Sequence, residues 1–288
     1  MKAKTRIVCI IGPTASGKSA KAVALAKERN GEVISVDSRQ VYRGLDVGTE
    51  KISAGEMDGV PHHLIDIREP EEVYTARDFA RDAERLIGDI SSRGKLPILA
   101  GGTHFYFDAL LRAVPEKVPR NALLQKELEA LPTEELAERV AKLDPRRASE
   151  LDPKNRRRLV RALELISAHG TVPVRDTAYR SDYEIEWIVL DPSPKEYRER
   201  LEAREKEKFP RGLIEEVRRI RERVGDVRLN ELGLEYRIIG EYLRGERTED
   251  SILPALSAKL WQYARRQRAW VRKLMDISSE ASSRPGRS

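Results

Sequence analysis

The sequence predicts an α/β fold, a parallel sheet core interrupted by a helical insertion domain. Three observations lead there. Short apolar runs alternate with helix-periodic segments over the first third of the chain. Those runs are continuously apolar rather than alternating, as strands buried on both faces are. Between about Ala113 and Arg180 the strand signal vanishes, and helical stretches punctuated by prolines take over.

Ile7–Ile11 reads as the first buried strand and Ser19–Arg29 as the helix after it. Val33–Val36 reads as a second strand and Leu64–Ile67 as a third. Ala76–Arg93 has helical periodicity, with Phe79, Ala83, Leu86 and Ile90 on one face, and Leu96–Ala100 is the next strand. The insertion, 115–180, holds helices at Leu123–Leu131, Glu134–Leu143 and Arg156–His169, set among Pro115, Pro119, Pro132, Pro145, Pro153 and Pro173. Glu186–Leu190 returns as a strand, and helices follow to about Met275. The core is thus expected over 1–114 and 181–277. Residues 278–288, rich in Ser and Arg, read as a disordered tail.

Composition narrows the function classes. With 40% hydrophobic residues a sizeable core can be buried, and a net charge of +6 suits a polyanionic partner without requiring one. Cys9 is the only cysteine and lies in an apolar run, which excludes a disulfide framework or a cysteine-based zinc finger. No apolar stretch approaches the roughly 18 residues of a membrane span, and the run at Ile7–Ile11 is too short for a secretion signal, so a cytoplasmic protein is expected. His62 and His63, adjacent on an extended segment, point to opposite faces and read as structural rather than as a metal pair.

Gly12-Pro13-Thr14-Ala15-Ser16-Gly17-Lys18-Ser19 matches G-x-x-x-x-G-K-[ST] between a predicted strand and a predicted helix, the context this phosphate-binding loop needs. Its glycines let the backbone wrap an anion, successive N–H groups face it, Lys18 adds a charge, and the Ser19 hydroxyl can hold Mg²⁺. The loop specifies a diphosphate, not hydrolysis of ATP. The strand at Leu96–Ala100 ends in Gly101-Gly102-Thr103 rather than in a metal-positioning acid, and Asp191 reads as a turn residue closing a strand. Asp37 follows the second short strand, at the ligand-facing carboxyl end of the sheet.

The P-loop followed in order by Asp37-Ser38-Arg39-Gln40-Val41-Tyr42-Arg43-Gly44-Leu45-Asp46-Val47-Gly48-Thr49, Pro61-His62-His63-Leu64-Ile65-Asp66 and Gly101-Gly102-Thr103-His104-Phe105-Tyr106 resembles the tRNA dimethylallyltransferases, also called tRNA isopentenyltransferases. The resemblance continues at Asn155–Glu164, Gly212–Arg218 and Tyr263–Gln267, and the single cysteine makes it bacterial-like. It implies a P-loop NTPase-like parallel sheet core with an insertion that grips tRNA. It also implies transfer of a dimethylallyl group from dimethylallyl diphosphate, with Mg²⁺, to the exocyclic N6 amine of the adenosine 3′ of the anticodon.

On that resemblance Asp37 is the catalytic base and Thr103 orients the adenosine, although residue type alone equally allows Thr103 as a helix cap. Gly12, Pro13, Thr14, Ala15, Ser16, Gly17, Lys18, Ser19 and Arg218 would bind the diphosphate, with Ser19 on the metal. Asp37, Ser38, Arg39, Gln40 and Thr103, with Arg157, Arg158, Leu159, Val160 and Arg161, would meet the tRNA anticodon stem-loop. Every part of the site lies in one chain, so a monomer without protein partners or membrane contact is expected. Two other readings stay open on the residues: a small-molecule kinase whose lid is Arg156, Arg157, Arg158 and Arg161, and a non-catalytic RNA-binding protein.

Overall fold

The computed structural model describes residues 4–112, 121–174, 180 and 182–283. In chain order its elements are β1 (Thr5–Ile11), α1 (Lys18–Glu28), β2 (Gly31–Val36), α2 (Ala54–Met57), β3 (His62–His63), α3 (Ala76–Ser92), β4 (Leu96–Gly101) and α4 (His104–Leu111). There follow α5 (Ala122–Ala130), α6 (Thr133–Leu143), α7 (Pro145–Glu150), α8 (Arg156–His169), β5 (Tyr183–Val189), α9 (Pro194–Lys208), α10 (Leu213–Leu229), α11 (Leu234–Leu243) and α12 (Ile252–Ser283). The chain divides into two compact units, 1–111 with 180–288, and 112–179.

The first unit is built on a five-stranded sheet in the order β3-β2-β4-β1-β5, with every pairing parallel. Ile7, Val8, Cys9, Ile10 and Ile11 are all fully buried, so β1 is covered on both faces, as its unbroken apolar run demands. Val8, Ile10, Val33 and Ile98 pack with Ala22, Val23, Leu25 and Ala26 of α1. The α3 helix starts from a capping box, Thr75 with Asp78, and buries Phe79, Ala83, Leu86, Ile87 and Ile90. Burial also pushes the Cys9 thiol well above its usual range, so this cysteine is an unreactive core residue.

Two sequence expectations change. The third strand is His62–His63, not Leu64–Ile67, because Leu64 (φ 63°) and Asp66 (φ 53°) take left-handed backbone and end the extended run. The last helix continues through Ser283, into the segment expected to be a disordered tail. Nothing between Met275 and Ser283 breaks a helix, and the first proline is Pro285; 284–288 lie outside the described residues.

The second unit is helical throughout its described residues and has its own core. Leu128, Leu136, Val140, Leu151, Leu159, Val160, Leu163, Ile166 and Val172 form one buried cluster. Arg156 belongs to this scaffold too, donating to the carbonyls of Leu131 (2.6 Å) and Glu129 (2.5 Å) at the open end of α5.

Candidate active site

Because all five strands are parallel, their carboxyl ends lie on one edge. The strand order places the loops after β2, β4 and β1 side by side there. These loops carry Asp37, Thr103 and Gly12–Ser19 respectively, so the topology gathers three segments that are far apart in sequence.

The phosphate loop is shaped by backbone. A Cβ on Gly12 would lie 2.3 Å from the Leu190 carbonyl, so only glycine lets the loop leave β1 beside the end of β5. Ala15 (φ 60°) and Gly17 (φ 86°) are left-handed, and Gly17 caps α1 without a side-chain bond, leaving the first N–H groups of the helix for an anion. Lys18 Nζ donates to the Pro13 carbonyl at 2.6 Å across the loop. Burial, and then the nearby Arg204, lower the Lys18 pKa to about 8, while Asp37 works in the opposite sense. That coupling places the Asp37 carboxylate within electrostatic reach of the cradle. The Ser16 hydroxyl oxygen is sealed from solvent and has no partner among the described residues. Ser19 is exposed on the first turn of α1.

Asp37 closes a tight turn. Its Oδ1 accepts from the Arg39 (2.7 Å) and Gln40 (3.2 Å) amides, and Oδ2 takes no hydrogen bond from the described residues. Ser38 N donates to Thr103 Oγ1 at 3.2 Å, tying the β2 loop to the β4 loop. Thr103 therefore spends its oxygen on the neighbouring loop rather than on its own helix. Arg39 and Asp37 both act electrostatically on Tyr106 and Tyr263, which border the turn. The pKa of Tyr263 is pushed up to about 12, chiefly by burial and then by Asp37. The Gln40 side chain is engaged internally: it accepts from Ser35 Oγ at 3.2 Å and donates to the carbonyls of Thr49 (3.2 Å) and Glu50 (3.1 Å). It braces the loop rather than presenting its amide outward.

Of the other expected residues, Arg218 has no hydrogen bond to the phosphate loop among the described residues, and the side chains of Leu159 and Val160 turn inward. Arg218 is half-exposed on α10, with Glu215 at 4.0 Å, and borders a surface hollow with Arg221, Glu222, Gly225 and Asp226. Leu159 and Val160 are 2% and 8% exposed, because positions 159 and 160 fall on the inward face of α8; their side chains build the core and only Arg157, Arg158 and Arg161 face solvent. Asp191 forms an ion pair with Arg268 at 2.7 Å, as suits a turn residue. His62 Nδ1 bonds the Val60 carbonyl and His63 Nε2 bonds Glu32, each at 2.8 Å, so the two rings have separate structural partners.

The IPP transferase family model matches residues 40–274. The chain belongs to that family. A tRNA dimethylallyltransferase of Anaeromyxobacter dehalogenans is 42% identical over 93% of this chain and 92% of its own. The solved tRNA isopentenylpyrophosphate transferase of Bacillus halodurans superposes with a TM-score of 0.70 at 38% identity, over 93% of this chain and 87% of that one. A eukaryotic dimethylallyltransferase whose structure was solved acting on tRNA superposes with a TM-score of 0.81 at 28% identity, over 93% of this chain and 70% of that one. The mixed α/β architecture with its parallel sheet is therefore the architecture of this family. Among the described residues no helix is long and apolar enough to cross a membrane.

Sequence reading missed three residues that shape the site. Gln267 of α12, 3% exposed, accepts from Thr14 N at 3.1 Å and donates to the Gly102 carbonyl at 2.8 Å, stapling the phosphate loop to the β4 loop. Arg204 of α9 donates to Thr14 Oγ1 at 2.8 Å. Glu216 of α10 holds the loop at Asp46–Gly48. Gln267 stood inside a resembling stretch, yet its partner Thr14 is 253 residues away and no spacing rule spans that distance. Arg204 and Glu216 sit in charge-rich helices where periodicity makes every ionic residue look like a solvated face.

Proposed function

We propose that this protein transfers a dimethylallyl group from dimethylallyl diphosphate to the N6 amine of the adenosine 3′ of the anticodon in tRNA, releasing diphosphate. The observation that carries the reading is the arrangement of the carboxyl edge: an anion cradle and an aspartate with a free carboxylate oxygen, on loops tied to each other by Thr103 and Gln267. Family membership supplies the substrate class, since the relatives described above are named for this transfer.

The amine is a poor nucleophile because its lone pair is delocalised into the ring. In the reaction N6 forms a bond to the allylic carbon and the carbon–oxygen bond breaks, its electron pair leaving on the diphosphate. Asp37 takes the amine proton; the Arg39 and Gln40 amides fix Oδ1, which directs Oδ2 at the substrate. Thr103 orients the adenine from the neighbouring loop. Lys18, the loop amides and Ser16 receive the charge that grows on the leaving group. Mg²⁺ fits this site as an ion shared with substrate. The exposed Ser19 hydroxyl offers one oxygen, and Mg²⁺ usually takes its other ligands from substrate phosphates and water. When bound it would neutralise diphosphate charge. Arg157, Arg158 and Arg161 of α8 present a basic face for RNA phosphates in the helical unit. The reading includes a monomer working in the cytoplasm.

The test is transfer of labelled dimethylallyl to unmodified tRNA by the purified protein with Mg²⁺. Label is expected on the adenosine 3′ of the anticodon, and Asp37→Asn is expected to slow transfer by about 10²–10⁴-fold. Absence of label with wild-type protein, or full activity in Asp37→Asn, overturns the reading or the assigned base respectively.

A further inference from the structure

Among the described residues, Arg204 is the one cation outside the phosphate-loop motif whose side chain hydrogen-bonds to it. We infer that Arg204 is a diphosphate-binding residue of this site, supplying a second positive charge, beside Lys18, to the leaving group. The inference rests on the function proposed above and deepens it.

The geometry is specific. Arg204 projects from α9, and its Nη2 donates to Thr14 Oγ1 at 2.8 Å, the third residue of the motif. That is its single hydrogen bond among the described residues, leaving most of a five-donor guanidinium without an acceptor. Its Nε is sealed from solvent and unpartnered. The nearest carboxylate, Glu205 Oε1, is 3.8 Å from Nη2, too far to hydrogen-bond it. In the same loop the Ser16 hydroxyl, in a residue only 7% exposed, is likewise buried without a partner among the described residues. Two orphaned polar groups thus belong to one anion cradle, and a ligand with several anionic oxygens could satisfy both.

The charges tell the same story. Arg204 bonded to Thr14 and Lys18 bonded to Pro13 put two cations on neighbouring residues of one loop, an arrangement that costs stability until an anion arrives. A guanidinium also matches a diphosphate better than an ammonium does, because its planar fork bonds two oxygens at once. Arg218, the arginine favoured from sequence, is 52% exposed and has no hydrogen bond to the loop among the described residues.

The experiment measures binding of inorganic pyrophosphate with Mg²⁺ by calorimetry, and steady-state transfer, for the full-length wild type, Arg204→Gln, Arg204→Lys and Lys18→Ala. Arg204→Gln is expected to weaken pyrophosphate roughly 10–100-fold, the range of a lost charge-assisted hydrogen bond. It should also lower kcat, while KM for tRNA stays within about twofold. Arg204→Lys is expected to regain part of the pyrophosphate affinity, which a role limited to propping Thr14 would not predict. Pyrophosphate affinity equal to wild type in both Arg204 variants, with loss in Lys18→Ala, would overturn this inference and leave the proposed function standing. Pyrophosphate that fails to bind wild type, or binds Lys18→Ala equally well, would remove the cradle itself and the inference with it.

Discussion

Glu32, near the start of β2, and Glu216, on α10, are both 2% exposed, yet they are satisfied in different ways. Glu32 collects side chains. Arg93 donates to both of its oxygens, and Lys95 and His63 each bond it at 2.8 Å, from positions 25–40% exposed. Glu216 collects backbone. It accepts the amides of Asp46 (2.9 Å), Val47 (2.7 Å) and Gly48 (2.9 Å), and the hydroxyl of Tyr236 (2.7 Å). The first arrangement welds strand and helix ends away from the carboxyl edge. The second fixes the path of a loop, and that loop is the one Gln40 braces through Thr49 and Glu50 just beyond Asp37. Gly48 is held from both sides: Lys208 donates to its carbonyl at 3.3 Å, and a Cβ there would lie 2.8 Å from the Tyr236 hydroxyl. A buried charge satisfied by side chains stabilises; one satisfied by loop amides also positions.

Glu216→Gln is the most direct way to break that distinction, and of the two glutamate variants it is expected to have the larger effect on transfer. The glutamine amide keeps the volume but replaces one acceptor oxygen with a donor that faces an N–H or the Tyr236 hydroxyl. We expect kcat/KM for tRNA to fall by about 10–100-fold, since small misplacements of a reacting group cost that much. Pyrophosphate affinity, which depends on the loop after β1, should stay within about twofold. Equal losses in both measurements would make Glu216 a general stabiliser like Glu32.

How much of this was legible beforehand follows from how each part is encoded. The strands Ile7–Ile11 and Leu96–Ala100, and the α3 face at Phe79, Ala83, Leu86 and Ile90, announce themselves through local periodicity, and the structure has them within a residue or two. The phosphate loop is legible because anion binding there is a property of eight consecutive residues. Ser38 meeting Thr103, or Thr14 meeting Gln267, is a property of strand order, which local pattern does not contain. Leu159 and Val160 show the converse error: proximity in sequence to Arg157, Arg158 and Arg161 says nothing about which way a helical side chain faces.

Lys18 sharpens the comparison with a charge that has no carboxylate bonded to it, its hydrogen bond going to the Pro13 carbonyl. Because its pKa is lowered to about 8, the free cradle loses the Lys18 charge as pH rises through that value. A bound diphosphate favours the protonated amine and raises the pKa again. Dimethylallyl diphosphate affinity is therefore expected to be flat below about pH 7.5 and to fall above 8, by up to tenfold per unit if one proton is linked. Calorimetry at pH 8.5 in buffers of different ionisation enthalpy should show net proton uptake on binding. No uptake would mean that Lys18 is fully charged in the free protein.

Glu32→Gln should have the smallest effect on catalysis and a clear one on stability. Arg93, Lys95 and His63 hold the Glu32 carboxyl far below the usual carboxylate range, so the ionised form is the one the fold favours. Its contribution is fully present above the unfolded-state pKa near 4.5 and is lost only as pH falls through the much lower folded value. The variant is expected to lose about 2 kcal/mol at neutral pH, the scale of a charge-assisted hydrogen bond, because its cationic partners can turn back to water. The gap between variant and wild type should narrow steadily below about pH 4, where the wild-type carboxyl begins to gain its proton in the unfolded chain first. Transfer activity at 25 °C should match wild type. A Glu32→Gln protein with unchanged thermal unfolding but impaired transfer would invert the assignment, making the side-chain cluster the positioning device and removing the contrast with Glu216.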